Sequence, residues 1–331
     1  MPSSSTTDPA SLTRGYSIAL AATIILSTTA ILIRHVTETY HLPPLILAFW
    51  RDAFTALVLL PVLWLFFPAL LRLKRQDLSY LLAYGLVLAV FNALWTLSVA
   101  LVGAAVSTVL VYSSAAYTVL LGWWLLKEPL NWAKGLAVVF SLGGCVLISE
   151  VLTPTAWQAN LAGITAGALS GLCYAVYSLM GRSASQRGLN PWTTLLYTFG
   201  FAAVFLLLAN LLPGQFLPGT AANPADLFCL GDSTAGWGFL LLLAAGPTLV
   251  GFGLYNVSLV YLPSSIANLI ATLEPALTAL FAYLLLGEYL SAMQLIGSLL
   301  ILSGVVFLRV QEDRGTRVLS APAQKAVEAA Q

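Results

Sequence analysis

The chain has 331 residues, and only 8% of them are charged, where a soluble domain carries roughly 25%. Hydrophobic residues make up 59% and the mean hydropathy is +0.90, so most of the folded surface must face lipid. The net charge of +1 offers no basic face for nucleic acid, and three dispersed cysteines with two histidines form no metal-binding or disulfide pattern. Composition therefore excludes a disordered chain, a disulfide scaffold and a nucleic-acid binder, and we expect no cofactor.

Ten apolar runs are long enough, or nearly so, to cross a bilayer, whose core of about 30 Å needs about 20 helical residues. The runs are 15–33, 45–67, 80–102, 104–126, 135–149, 161–180, 192–212, 237–259, 264–286 and 292–308. Only Arg51, Asp52 and Glu274 carry charge inside them, and the runs are apolar on all faces, as lipid requires. The sequence predicts an all-α polytopic membrane protein with ten transmembrane helices.

Lysine and arginine alternate between the two sides of these spans. Twelve of the 14 basic residues fall in the tails and loops on the side of the N-terminus, while Arg34 lies on the other side and Arg51 lies within the membrane. Because basic residues stay in the cytoplasm, this asymmetry predicts that both termini are cytoplasmic, as in a bacterial inner-membrane protein. The longest loop, about 213–236, would then face outward.

The two halves of the sequence match each other. A shift of 160 residues aligns 91–146 with the second half without a gap, and it places Glu128 on Glu288 and the hinge at Gly103 on Pro263. Each half contains five spans, an odd number, so the second half must enter the membrane from the opposite side. Inverted repeats of this kind are typical of secondary transporters, which bind substrate near the midplane between the halves.

The expected organisation follows from these boundaries. A cytoplasmic tail covers 1–14 and the first five-helix repeat covers 15–149. An outer linker follows at 150–160, and the second repeat covers 161–310. The polar segment 311–331 is expected to be a disordered cytoplasmic tail.

A family pattern is concentrated in the second half. It consists of ANLIATLEP at 267–275, LLLGE at 284–288, QLIG at 294–297 and GV at 304–305. This pattern resembles the EamA-type branch of the drug/metabolite transporter superfamily, whose members are ten-helix permeases. Phe49-Trp50-Arg51 is similar to the arginine-bearing second helix of that family, while Ala115 stands where many relatives have a proline matching Pro275. The resemblance covers about 15–308 and implies transport of a small metabolite such as an amino acid, a nucleobase or a sugar.

Aromatic and polar side chains deep in the spans are the candidates for a substrate site. Tyr174 and Tyr177 share a face of the sixth span with Ser170, and Asn92 shares a face of the third span with Trp95. Such groups rarely face lipid, so they should point inward, either to line a cavity or to hydrogen-bond between helices. The candidates for substrate binding are Arg51, Asn92, Trp95, Tyr112, Tyr174, Tyr177, Tyr255, Asn256 and Asn268.

Two charged positions have alternative interpretations. Glu274 lies near the middle of its span and could couple transport to protons, or it could be a protonated structural group beside the Pro275 kink. Pro275 has no N–H and therefore leaves the carbonyl of Ala271 without its helical partner. Arg51 could hold a substrate carboxylate, extend toward the surface, or meet Asp52 or Glu274 through a neighbouring helix. A simple pair with Asp52 is not expected, because adjacent helical residues point about 100° apart.

The leading hypothesis is a secondary transporter that moves a small organic metabolite by alternating access, with a proton-coupled exporter as one form. An exchanger of phosphorylated sugars or nucleotide sugars is the alternative within the superfamily, although it would need several cations at the site. An intramembrane enzyme is the alternative of another class, but the HExxH and GxSxG motifs do not occur. We expect a transporter and not an enzyme. The expected partners are a small-molecule substrate, the lipid bilayer, protons and a second copy of the chain. The glycines of the fifth span or those of the tenth could form the contact with that copy.

Overall fold

The computed structural model describes residues 9–126, 132–148, 161–212, 217–261, 270–271, 273–304, 306–307 and 310–311. All regular structure in these residues is helical. The first half contains α1 (Pro9–Thr39), α2 (Pro44–Phe66), α3 (Arg75–Val102), α4 (Ala104–Tyr112), α5 (Ser114–Leu126) and α6 (Trp132–Ile148). The second half contains α7 (Leu161–Gln186), α8 (Pro191–Leu211), α9 (Thr234–Leu243), α10 (Phe252–Tyr261), α11 (Glu274–Phe281) and α12 (Ala292–Gly304).

Seven helical stretches are long and apolar enough to cross a membrane: Thr13–Thr39, Pro44–Phe66, Arg75–Val102, Ala104–Leu121, Leu161–Gly181, Pro191–Leu211 and Thr234–Tyr255. The fifth, ninth and tenth predicted spans contain shorter apolar helices, Lys134–Gly144, Glu274–Leu286 and Ala292–Gly304. An all-helical integral membrane protein is therefore confirmed. The count of ten crossings stays a prediction, because these three helices adjoin residues outside the described ranges.

Prolines and hydroxyl groups shape the eighth span. A π-helical turn, Ala244–Gly251, joins α9 to α10 and contains Pro247. Pro247 cannot donate to the carbonyl of Leu243, four residues earlier, and the hydroxyl of Thr248 donates to that carbonyl instead, at 2.8 Å. The freed carbonyl thus keeps a partner inside the protein, where an unpaired one would be costly.

The fourth span is broken although it contains no proline. It divides into α4 and α5 at Ser113, whose backbone N–H and hydroxyl both donate to the carbonyl of Leu110, at 3.1 and 2.6 Å. A tight turn held by a side-chain hydroxyl therefore replaces one regular helical turn. The sequence indicated no break here, because Ala115 takes the place of a proline.

Helices of the first half pack mainly on helices of the second. α3 packs along α7 and α8, α2 packs on α8, and α1 packs on α10 and α11. We call this interface between the halves the seam. Deep helical side chains of α2, α3 and α7 therefore project toward a partner from the other half, which places the candidate residues between the halves.

A loop covers one end of this bundle. The indole N–H of Trp50 donates to the carbonyl of Leu227 at 2.7 Å, and the amide of Ala221 donates to the side-chain oxygen of Asn210 at 3.1 Å. Leu227 and Leu230 are buried with residues of α1, α2, α3 and α4 in one apolar cluster. This end is the outer one under the predicted topology, and we call it the outer end.

Gly144 of the fifth span and Gly297 of the tenth pack against each other within the chain. A Cβ placed on Gly144 would lie 2.6 Å from the carbonyl oxygen of Gly297, so α6 and α12 approach closely through small residues. This surface is therefore occupied internally. A homodimer stays a prediction.

Candidate functional site

A buried ion pair lies on α2, within the outer half of the bundle. Arg51 is 3% exposed and Asp52 is completely buried, and Arg51 Nε lies 3.4 Å from Asp52 Oδ1. The expectation that these neighbours would not pair directly was wrong, because the arginine side chain is long enough to bring its Nε within ion-pair distance of the carboxylate. Its burial also excludes extension toward the surface in this structure.

Asn92 on α3 completes the environment of Asp52. Its side-chain N–H₂ donates to both carboxylate oxygens, at 2.9 and 2.7 Å. The two hydrogen bonds join α2 to α3. Together with Arg51 they stabilise the negative charge of Asp52, whose burial without partners would be very unfavourable. Asn92 was predicted to contact substrate, and in this structure its amide nitrogen is committed to Asp52.

The other side of Arg51 faces an aromatic ring. The guanidinium carbon lies 5.5 Å from the ring centroid of Trp95, a separation that permits a cation–π interaction. Within the described residues, Asp52 is the one hydrogen-bond partner of Arg51, and it engages Nε rather than the two terminal nitrogens. The indole N–H of Trp95 is buried without a hydrogen-bond partner. Among the described residues, neither the terminal nitrogens of Arg51 nor this N–H has an assigned acceptor.

Aromatic rings extend from Trp95 along α3 and α7. Phe91 stacks parallel to Trp95, with centroids 6.1 Å apart, and lies 5.3 Å from Tyr174. Tyr177 follows Tyr174 at 6.3 Å. Tyr84 lies 4.7 Å from Tyr177 between ring centroids. The result is a wall of rings that is continuous from the buried arginine toward the opposite end of the bundle.

A second carboxyl group, that of the half-buried Glu274, begins α11. The hydroxyl of Tyr112, on α4, lies 2.9 Å from the carbonyl oxygen of Ala271 and 3.2 Å from Glu274 Oε2, and it donates to both. The carbonyl that Pro275 leaves without a helical partner, as the sequence predicts, therefore receives a donor from the other half of the chain. Tyr112 is also within electrostatic reach of Tyr174 and Tyr255, which links this group to the aromatic wall.

The structure groups most of the predicted residues at the seam. Arg51, Asn92 and Trp95 form one cluster, and Tyr174 and Tyr177 extend it. Tyr112 lies at Glu274 through its hydrogen bond, and Tyr255 is linked electrostatically to Tyr112. Asn256 lies in α10, but its side chain is outside the described part of the structure, as is Asn268 altogether.

Sequence reasoning did not assign three residues of this region. Asp52 was noted only as a charge, and Tyr84 and Phe91 were not singled out. Tyr84, Phe91 and Trp95 are separated by seven and four residues, which places them on one helical face, so periodicity alone could have found the aromatic side of α3. The described residues contain no group of three or more His, Cys, Asp or Glu side chains that could hold a metal ion.

Comparison with known proteins identifies the fold and its general activity. The profile of the EamA-like transporter family matches residues 13–150 and 161–310. The chain belongs to this family. As an EamA-like transporter it is an integral membrane protein that moves a solute, and the fold described above is the family's helical architecture with two repeats.

The individual relatives have low sequence identity to this chain. An uncharacterized transporter of Archaeoglobus fulgidus is 29% identical over 66% of this chain and 73% of its own. The threonine/homoserine exporter RhtA of Salmonella typhimurium (strain LT2) is 26% identical, over 70% and 71%. A protein of the same strain named "Probable amino-acid metabolite efflux pump" is 24% identical, over 80% and 85%. One solved crystal structure covers 90% of this chain and 98% of its own with a TM-score of 0.56, and at 18% identity this likeness concerns the fold alone.

Proposed function

We propose that this transporter moves a small zwitterionic metabolite of the amino-acid class, by alternating access, through a site at the seam. The observation that carries the proposal is the set of donors at Arg51 and Trp95 that have no assigned acceptor among the described residues. A carboxylate accepts bidentate hydrogen bonds from a guanidinium, and the terminal nitrogens of Arg51 are the part that Asp52 leaves unoccupied. The two repeats, at 15–149 and 161–310, would rock around the bound substrate at Arg51.

The other groups of the site suit the remainder of such a molecule. Glu274 supplies negative charge for an ammonium group. The rings of Phe91, Tyr174 and Tyr177 supply an apolar surface with hydroxyl groups for a side chain. Arg51 and Asp52 neutralise each other, so a zwitterion adds no net charge to the interior. This balance favours a zwitterion over a simple anion or cation.

The direction and the coupling ion are further parts of the proposal. RhtA is named an exporter and the Salmonella typhimurium relative an efflux pump, which supports export. Glu274 is the candidate for proton coupling, because it lies at the start of a helix in the seam and receives a hydrogen bond from the opposite half. Loss or gain of its proton would change that contact together with its charge.

The alternative within the superfamily, an exchanger of phosphorylated or nucleotide sugars, fits the site less well. A phosphate dianion needs more than one cation, and Asp52 already neutralises Arg51. An intramembrane hydrolase would require a nucleophile beside a base, and the ring contacts of His35 within the described residues are with Tyr40 and Phe239 rather than with a nucleophile. Both alternatives predict a different result in the following experiment.

The test is transport by the purified protein in proteoliposomes. Vesicles are given a mixture of amino acids, sugars, sugar phosphates and nucleobases under a pH gradient, and their contents are read by mass spectrometry. We expect one or a few amino-acid-like compounds to accumulate and Arg51→Gln to abolish the accumulation. Arg72→Gln, the same change at an exposed loop residue, should leave it intact. Accumulation of sugar phosphates, or full activity of Arg51→Gln, would overturn the proposed substrate class.

A further inference from the structure

A carboxylate from the second half caps a helix of the first half at the outer end. Both oxygens of Glu288 lie 3.0 Å from the backbone nitrogen of Ala104, and Oε2 lies 3.3 Å from that of Ala105. These are the free N–H groups at the start of α4, where a negative charge is favourable. In the sequence, Glu288 lies shortly before α12. That helix instead has its own cap, in which Ser291 and Gln294 bond reciprocally.

Arg34 of α1 contacts the same carboxylate. Its Nε lies 3.4 Å from Glu288 Oε1, while its Nη1 donates to the carbonyls of Ala100 and Val99 at 2.5 and 3.2 Å. Those carbonyls end α3, where a positive charge is favourable. One arginine and one glutamate therefore bind complementary ends of α3 and α4 and join them to the loop before α12.

The residue between α3 and α4 permits this approach. Gly103 has a φ of +90°, and a Cβ built there would lie 2.9–3.0 Å from the carboxyl atoms of Glu288. A side chain at this position would be strained and would also displace the carboxylate. The contact is thus built into the hinge itself.

The seam is closed from this point inward to the candidate site. Thr278, on α11, donates to the carbonyl of Ser27 at 3.1 Å, and both residues are buried. All eight residues 104–111 of α4 are buried, on every face of the helix. The helix Glu274–Leu286 separates the two glutamates, so the contact at Thr278 lies at an intermediate depth between the candidate site and the outer end.

We propose that Arg34, Glu288 and the amides of Ala104 and Ala105 form an outer latch, which holds the outer end closed and must release before substrate passes that end. The proposal rests on the alternating access proposed above. Because the latch joins the two halves at their outer end, it stabilises the closed state relative to an open one. Removing its charge should therefore shift the population toward the open state.

Cysteine labelling tests the latch without any knowledge of the substrate. Ser107→Cys and Thr278→Cys are placed singly in a chain whose native cysteines are replaced by serine. The proteins are held in nanodiscs, which expose both faces, and treated with a small cationic methanethiosulfonate reagent. With the latch intact, both sites should react slowly, because both are buried. Glu288→Gln should accelerate the reaction by about tenfold, the factor that a charge-assisted hydrogen bond contributes to an equilibrium. Arg34→Gln removes an ion pair at 3.4 Å and should accelerate it in the same direction, by less.

Two matched controls remove a carboxylate elsewhere. Glu38→Gln deletes the exposed partner of Arg34, at 2.6 Å, and leaves Glu288 in place. Glu128→Gln makes the same change at the matching sequence position of the other repeat. Neither should accelerate labelling at Ser107→Cys or Thr278→Cys.

The two reporters separate an opened seam from a frayed helix end. Ser107 lies one turn from the latch, and Thr278 lies deeper, between α11 and α1. Acceleration at Ser107→Cys alone, or unchanged labelling with a lowered melting temperature, would show that Glu288 is only a structural cap and would overturn the latch.

If Glu288→Gln does not fold, Glu288→Asp keeps the charge on a shorter side chain. It should accelerate labelling at both sites, and a wild-type rate would again contradict the proposal. Suppose that the variants are labelled faster, as expected, but that the protein transports none of the tested compounds. That result would support the latch and reject the proposed function.

Discussion

At the scale of residues, the site depends on charges that compensate each other inside the bundle. Arg51 and Asp52 are both almost completely buried, and each has the other as its charged partner in the described residues. A buried pair contributes little compared with apolar residues of the same volume, but the loss of one member leaves an uncompensated charge. This asymmetry gives a direct test of the pair.

Arg51→Gln and Asp52→Asn should each lower the free energy of unfolding, by about 3–5 kcal/mol, because each leaves one buried charge alone. The double variant should recover most of that loss. Unfolding in mixed micelles, followed by circular dichroism, measures the three variants. Glu38→Gln, which removes a half-exposed partner of Arg34, is the control and should lower the free energy by less than about 1 kcal/mol. Additive losses in the double variant would mean that the two side chains do not interact.

Glu274 tests the proposed coupling. Glu274→Gln keeps the size and the acceptor of the side chain but cannot release a proton, so accumulation driven by a pH gradient should be lost. Exchange, with substrate on both sides of the vesicle, requires no net proton movement and should persist. Asp232→Asn, in the exposed outer loop, should leave both activities intact. If Glu274→Gln accumulates substrate with the wild-type response to pH, Glu274 is a structural group at the kink and the coupling proposal is withdrawn.

The residues that could be predicted from the sequence are those whose type is unusual for lipid. Arg51, Asn92 and Tyr112 were identified because polar groups at depth must find partners inside the bundle. Their actual partners could not be predicted. The pairing of Arg51 with Asp52 depends on a side-chain conformation, and the bond between Asn92 and Asp52 depends on how α2 and α3 are rotated against each other.

At the scale of elements, prolines free carbonyl groups that hydroxyl groups then satisfy. Pro247 frees the carbonyl of Leu243, which receives Thr248, and Pro275 frees the carbonyl of Ala271, which receives Tyr112. The first bond is local, while the second crosses the seam. Proline positions could be read from the sequence, but the distant donor could not. Likewise, the break at Ser113 arises from a hydroxyl-stabilised turn, for which serine within an apolar run is only a weak signal.

The hydrogen bond from Tyr112 to the carbonyl of Ala271 predicts that substitutions of Tyr112 and Pro275 have non-additive effects on stability. Tyr112→Phe removes the donor to Ala271 and should destabilise the protein by about 1–3 kcal/mol, the loss for a buried acceptor left unpaired. In a Pro275→Ala background the new backbone N–H can reach the same carbonyl, so Tyr112→Phe should have a smaller effect. Unfolding free energies of the four variants measure the difference. Tyr283→Phe, at a half-exposed ring, is the control. Equal effects of Tyr112→Phe in both backgrounds would contradict this account of the kink.

At the scale of the whole molecule, two similar halves share one interface. The match between the two halves of the sequence predicted two repeats. Because each repeat has five spans, the two must have opposite orientations in the membrane. It did not predict that α3 would pack chiefly on α7 and α8 of the other half, nor that Glu288 would cap α4. Contacts between distant segments depend on how complete helices fit together, and a single sequence does not encode that fit in any local pattern.

The distribution of basic residues predicts the orientation of the whole chain. A reporter enzyme that is active only outside the cytoplasm should be silent when it is fused after Val310, because the C-terminus is predicted to be cytoplasmic. The same reporter inserted at Asp226, in the long loop, should be active. Cell-based reporter activity, normalised to expression, measures both fusions. Activity after Val310 with silence at Asp226 would invert the topology and place the outer latch at the cytoplasmic end.

Substrate protection at the seam tests the central claim, that transport passes through a site between the two halves, most directly. Tyr174→Cys and Tyr255→Cys are made singly in a cysteine-free chain, with Val204→Cys, on an exposed part of α8, as the lipid-facing control. In proteoliposomes, a small water-soluble thiol reagent should modify the two seam positions, and the compound identified by the transport assay should slow both reactions. The control should be insensitive to that compound. Seam positions that react no faster than Val204→Cys, or that react equally with and without the transported compound, would place the substrate elsewhere.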